Sequence, residues 1–289
     1  MNILAIDIGG TKIALGLVSN GKLCERMQIP TIDVTSANQF ASHILRHCQP
    51  WLVDVDRIGI STTGLVTEQG ISAINPDTLA FPTPFPLHTE IEAQTGKPVA
   101  MLNDAQAAAW YEYLHLTEQE KNMAYLTVST GVGGGLIIDG KLHRGQNNFA
   151  GHIGHLVIDP NGPVCGCGQK GCVEAIASGT AINKYAKQTI SQTITNVELF
   201  EQVRLNPSAE HIIQQSAQAI ATLCCNLKAS LDLDVIVIGG GVGLATGYLE
   251  RVTQHIEMRP SRFQVKLVPA KGNNDACLLG AAALFEHRA

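Results

Sequence analysis

Asn2-Ile3-Leu4-Ala5-Ile6-Asp7-Ile8-Gly9-Gly10-Thr11-Lys12 is the stretch on which the fold assignment turns. The apolar run Asn2 to Ile8 is short, rich in β-branched residues and closed by two glycines, which predicts a buried strand. A second strand, Ile13 to Ser19, follows, and Asn20-Gly21 is the dipeptide that favours a two-residue hairpin turn into a third, Lys22 to Ile29. The same order returns in Met123 to Val128, Ser129-Thr130-Gly131, Leu136 to Ile138 and Asp139-Gly140-Lys141-Leu142. Two copies of strand, glycine turn, strand and hairpin predict two related α/β lobes, each presenting a glycine turn toward a shared cleft in which a nucleotide would fit.

Working outward, helical spacing runs from Ser36 to Gln49, and short strands are expected at Arg57 to Ile60 and Val99 to Leu102. The latter ends at Asn103-Asp104, where either residue could cap a helix over Ala105 to His115. Further on, the pattern predicts a long helix from Ala209 to Leu231, strands at Val235 to Ile238 and Gln264 to Val268, and a last helix from Ala276 to His287. The expected lobes are residues 1–117, completed by the C-terminal helix at 276–289, and residues 118–275.

At 289 residues the chain is long enough for two cores, and 45% hydrophobic against 16% charged residues, with no low-complexity run, excludes a disordered chain. A formal net charge of −5 and no Lys/Arg cluster leave no footprint for nucleic acid or for an anionic membrane. No apolar run reaches membrane-spanning length and no signal-peptide layout is visible, so a cytoplasmic protein is expected. Of the eight cysteines, Cys24, Cys48, Cys224, Cys225 and Cys277 read as small apolar packing residues.

Three sets of residues could carry chemistry. Glycines at Gly9 and Gly10 let backbone N–H groups approach phosphate oxygens, and Thr11 and Lys12 add donors, although a lone glycine pair can also be only a turn. Thr130-Gly131-Val132-Gly133-Gly134-Gly135 reads as a second such turn and Gly239-Gly240-Gly241-Val242-Gly243 as a third. Neither the Walker A spacing nor a strict dinucleotide fingerprint occurs. Asp104, between a strand and a helix, suits a general base, or only caps the helix. His155, Cys165, Cys167 and Cys172 form a Cys3His set that suits closed tetrahedral zinc in a structural site, the other reading being scattered reduced thiols. His152 and Glu174 flank that set, and a polyhydroxyl substrate needs donors and acceptors of this kind.

Taken together, Asp7 to Lys12, Asn103-Asp104, Gly151-His152-Ile153-Gly154-His155 and the segment from Cys165 to Glu174 resemble the repressor and sugar kinase family known as ROK, over nearly the whole chain. The resemblance implies an actin-like ATPase (ribonuclease H-like) fold of two α/β lobes with a nucleotide and sugar cleft between them. It implies ATP with magnesium, bound by Ala5, Ile6, Asp7, Ile8, Gly9, Gly10, Thr11 and Lys12 and by Gly131, Val132, Gly133, Gly134, Gly135, Leu136, Ile137 and Ile138. By the same likeness Asp104 is the base that deprotonates a sugar 6-hydroxyl, Asn103 holds a ring hydroxyl, Gly64, His152, His155 and Glu174 line the sugar pocket, and zinc orders its wall.

The runs Asn103 to Trp110 and Ala150 to His155 look most similar to members that phosphorylate N-acetyl-D-mannosamine in sialic acid breakdown. Many family members carry Glu where this chain has His152, and Pro-Gly where it has Thr63-Gly64. N-acetylglucosamine, glucose or fructose as substrate, a sugar-responsive repressor, and a non-catalytic sugar-binding protein are the alternatives. The repressor is not expected, because the first strand begins at Asn2 and no basic face is visible. A homodimer is the family's habit.

Overall fold

The computed structural model describes residues 1–75, 81–118 and 120–285. The chain divides into two compact units, one of Met1–His115, Lys141–Ala150 and Gly272–Ala289, the other of Leu116–Gly140 and Gly151–Lys271. No helix among the described residues is long and apolar enough to cross a membrane.

In the first unit, strands β1 (Asn2–Ile8), β2 (Lys12–Ser19), β3 (Lys22–Pro30), β4 (Arg57–Thr62) and β7 (Val99–Asn103) form a sheet ordered β3-β2-β1-β4-β7. The first three strands pair antiparallel, while β4 lies parallel to both β1 and β7. Asn20 and Gly21 take φ of 49° and 72°, the doubly left-handed turn that their dipeptide favours. A small hairpin of β5 (Leu65–Thr67) and β6 (Gly70–Ser72), the short strand β10 (Lys141–Leu142) and helices α1 (Ala37–Leu52), α2 (Leu87–Thr95), α3 (Asp104–Leu114) and α9 (Ala276–Ala283) complete the unit.

Both faces of β1 are covered, which explains its unbroken apolar run. Leu4, Ile6 and Ile8 pack toward Phe40, Ile44 and Phe85, whereas Ile3 and Ala5, on the alternate face, pack with Leu278 and Ala282 of α9. The C-terminal helix therefore does return to the opening sheet. It ends at Ala283, short of the expected His287, which lies outside the described residues.

The second unit repeats the plan. Strands β8 (Met123–Val128), β9 (Val132–Ile138), β11 (Val235–Gly239) and β12 (Lys266–Pro269) lie in the order β9-β8-β11-β12, with β9 antiparallel to β8 and the others parallel. Helices α4 (Val173–Ala177), α5 (Gly179–Thr189), α6 (Asn196–Gln202), α7 (Pro207–Leu231) and α8 (Tyr248–Glu257) follow. Leu126, Ile220, Leu223, Ile236 and Tyr248 are at the centre of the core.

One expectation is corrected here. Gly133, Gly134 and Gly135 are not part of a turn but lie within β9, paired with Thr127, Leu126 and Tyr125. Their smallness serves close packing, since a Cβ on Gly134 would run into the Ile153 side chain and the Tyr125 carbonyl. The turn itself is confined to Ser129, Thr130 and Gly131.

Candidate active site

The parallel register of β1 and β4 sets Asp7 opposite Ser61. The buried Ser61 hydroxyl donates to Asp7 Oδ1 at 2.7 Å. Burial raises the Asp7 carboxyl above its ordinary range, Ser61 opposes that, and the nearby Asp275 raises it further while Arg26 lowers it. The turn after β1 is held by Gly9 N–H donating to Lys12 O at 3.0 Å and by the Thr31 hydroxyl donating to Gly9 O at 2.8 Å. Gly10, Thr11 and Lys12 are exposed, and nothing stands within 4 Å of where a Gly10 Cβ would be. Ala5, Ile6 and Ile8 instead put their side chains into the cores on the two faces of the sheet.

β7 delivers Asn103 and Asp104 to the start of α3. Asn103 is the cap: its Oδ1 accepts from the N–H of Ala105 at 3.0 Å and of Gln106 at 3.3 Å, and its amide donates to Gly64 O at 3.0 Å. Gly64 takes φ of 90°, so Asn103 fastens the left-handed corner after β4 to the helix start. Asp104 is relieved of capping duty and sits half-buried, with one oxygen accepting from Ala105 N–H at 2.8 Å. Burial first and the Asp7 charge second push its carboxyl up to about 6, while the Ala105 N–H and the Asn103 amide pull the other way. Such a group ionises just below neutral pH, the range in which a carboxylate works as a general base.

Two neighbours escaped the sequence reading. Cys277, taken as packing, has its thiol raised well above the ordinary value by burial first and by the charges of Asp7 and Asp104 second. Gln106 donates through its amide to Ala150 O at 2.8 Å, tying 141–150 to α3. Cys277 belongs to no motif, and Gln106, though inside the Asn103 to Trp110 run, shows its partner only in the folded chain.

In the second unit, His155 ends a 3-10 turn at Ile153–His155, and Cys165, Cys167 and Cys172 lie on the loop that follows. The four ligand atoms lie within 4.8 Å of one another. Cys165 Sγ is 3.7 Å from His155 Nδ1, and Cys167 Sγ is 3.7 Å from Cys172 Sγ. Donors about 2.0–2.3 Å from a tetrahedral ion stand about 3.4–3.8 Å apart, so these edges fit zinc. The loop bends as such a site needs, with Cys165 N–H donating to Gln169 O at 2.8 Å and Gly168 N–H to Cys165 O at 2.9 Å. Leu136 and Ile137 are buried strand residues and Ile138 is half-buried.

Glu174, two residues past Cys172, accepts from Val132 N–H at 3.0 Å. His152 is half-buried immediately before the 3-10 turn. The Ser129–Gly131 turn opens onto a cavity of about 1060 Å³ bounded by Thr130, Gly179, Asn183, Val242 and Arg251 among others. Apolar and polar walls together suit a nucleoside with charged phosphates. The predicted site residues thus gather in two groups, Asp7, Gly64, Asn103 and Asp104 in the first unit, and Gly131, His152, His155, Glu174 and the three cysteines in the second.

The ROK family model matches residues 3–288. A protein of Vibrio vulnificus named N-acetylmannosamine kinase is 65% identical over 99% of this chain and 98% of its own length. One of Vibrio cholerae with the same name is 58% identical over 99% of this chain and 100% of its own. Among solved structures, a ROK family glucokinase from Streptomyces griseus in complex with glucose and AMPPNP matches with a TM-score of 0.80 at 30% identity, covering 98% of this chain and 99% of that one.

Proposed function

The chain belongs to the ROK family and has its actin-like fold, and from that premise we propose that it is the kinase that phosphorylates N-acetyl-D-mannosamine on its 6-hydroxyl with ATP, in sialic acid breakdown. The relatives named for that activity support the substrate. The observation that carries the chemistry is Asp104, a half-buried carboxylate freed from capping by Asn103 and raised to about 6.

Asp104 takes the proton of the sugar 6-hydroxyl as the hydroxyl oxygen attacks the γ-phosphorus and ADP leaves with the β,γ-bridging oxygen, and Asn103, by fixing the helix start, sets where that carboxylate points. The cavity beside Ser129 and Thr130 holds the adenosine part of ATP, and the exposed residues Gly10, Thr11 and Lys12 supply donors for phosphate oxygens. Magnesium bound with ATP neutralises phosphate charge. His155, Cys165, Cys167 and Cys172 would hold zinc, which allows three thiolates to share one site and suits the reducing cytoplasm. His152 takes the place of the carboxylate common in the family and reads the C1–C2 edge of the sugar.

The test is ADP release with magnesium and ATP across N-acetylmannosamine, N-acetylglucosamine, glucose, mannose and fructose. Expected is a kcat/KM for N-acetylmannosamine at least tenfold above the others, as about 1.4 kcal/mol of discrimination gives. Preference for glucose would overturn the substrate, and silence on all five would overturn the kinase.

A further inference from the structure

The segment from Cys172 to Thr180 grips the Ser129–Gly131 turn at both ends. At one end Glu174 Oε2 accepts from Val132 N–H at 3.0 Å. At the other, Gly179 N–H donates to Ser129 O at 2.7 Å, and Thr180 donates to Thr130 O from its N–H at 3.2 Å and its hydroxyl at 2.9 Å. Gly131 is without a side chain where the Glu174 carboxylate arrives, for a Cβ there would stand 2.6 Å from Oε2. The same carboxylate leans on the metal-ligand cluster, with Oε1 3.8 Å from Cys165 Sγ and 4.0 Å from His155 Nδ1. Cys172, a member of that cluster, is the residue from which α4 starts, and Val173 N–H donates to Leu156 O at 3.0 Å.

From this geometry we propose that Glu174 is a positioning residue for the nucleotide turn: it transmits the placement of the Cys172 end of the metal loop to the Val132 amide, independently of any contact it makes with sugar. The physical reason is reach. Cys172 and Glu174 are separated by one residue at a helix start, so a bound ion that fixes the Cys172 sulfur also fixes the origin of the Glu174 side chain. The carboxylate then satisfies the N–H of Val132, the first residue of β9 and the one set against Val128 where the turn joins the two strands. Losing that acceptor frees the turn at one end, while the Gly179 and Thr180 contacts and the turn's own Ser129 N–H to Gly131 O bond remain. Because Glu174 links the loop to the turn, nucleotide affinity should depend on the metal loop even with no sugar present. The inference rests on the reading that this turn binds ATP.

The experiment is calorimetric titration of the full chain, loaded with zinc and free of sugar, with the magnesium complex of AMPPNP, alongside metal analysis of each sample. Glu174→Ala and Gly131→Ala should each bind about tenfold more weakly than the parent with zinc content unchanged, the order expected for one hydrogen bond to a charged acceptor. Gly131→Ala acts from the opposite side, pushing the carboxylate off without altering Glu174. Glu174→Gln retains an acceptor oxygen and should restore affinity to within about threefold. Removing zinc from the parent should weaken AMPPNP binding by a similar factor, while zinc removal from Glu174→Ala should add little. Affinities equal to the parent's in both alanine variants would overturn the strap, as would a loss in Glu174→Ala that disappears once its zinc is replenished. No binding of AMPPNP by the zinc-loaded parent would instead overturn the nucleotide reading, and this inference with it.

Discussion

Asp104 illustrates how one residue's environment sets both activity and stability. A base must be ionised to accept a proton, so with its carboxyl at about 6 the rate should fall about tenfold per pH unit below that value and level off above it. A kcat/KM profile flat from pH 5 to 8 would remove Asp104 from the role. Its folded value exceeds the reference 3.8, so the native state binds the proton more tightly than the unfolded chain. The group's contribution is therefore least unfavourable at low pH, worsens as pH rises from about 4 to 6, and is fully unfavourable above that. Asp104→Asn, which can still accept from Ala105 N–H, should lose about 10²–10⁴ in kcat yet gain on the order of 2 kcal/mol in urea unfolding at pH 8. A destabilised variant at pH 8 would mean that burial is not what raises the carboxyl. The acid itself was legible in the sequence because it lies between an apolar strand and an alanine-rich helix. Its raised pKa was not, since that depends on Asp7 and on burial, and neither was Ser61, which faces Asp7 only through the register of β1 and β4.

Among the elements, the cysteine loop depends most on something other than an apolar core. Between His155 and Cys172 it exposes Leu156 at 44%, Val157 at 43% and Val164 at 74%, so little hydrophobic burial holds it and the ligand cluster must. With zinc held there as proposed, its chelation should lower the unfolding midpoint by roughly 5–10 °C, as a loss of a few kcal/mol does in a chain of this size. Hydrogen exchange should then speed up across residues 155–172 while β8 and β11, buried at the centre of their sheet, keep their protection. Equal protection of the loop with and without metal would show that it holds itself. The cluster was readable from four residue types in a short span, a local signal. The glycine run was misread for the opposite reason, because what demands a small residue at Gly134 is Ile153, a tertiary neighbour that periodicity does not register.

For the molecule as a whole, the repeated strand, glycine turn and hairpin predicted two lobes, and the return of the last helix was expected from the habit of terminal helices to pack on the opening sheet. What no local pattern specifies is how closely that helix approaches. The first unit is assembled from three separate stretches, and α9 closes it by lying against α3, β1 and β4. The α3 contact is made at Gly280, where a Cβ would run into the Ala107 backbone carbonyl. Within α9 alone, Gly280→Ala would be favoured by about 1 kcal/mol of helix propensity. The obstructing atom is main chain in the middle of α3 and cannot swing aside, so overpacking should win and the protein lose about 1–3 kcal/mol. Since α3 carries Asp104 at its start, the displaced helix should also lower kcat. Gly10→Ala, where a Cβ meets nothing within 4 Å, is the contrasting case and should leave the free energy of unfolding within about 0.5 kcal/mol of the parent's. Urea unfolding of both variants separates the two accounts: if Gly280→Ala is as stable as Gly10→Ala, the close crossing of α3 and α9 is not what fixes the helix that bears the base.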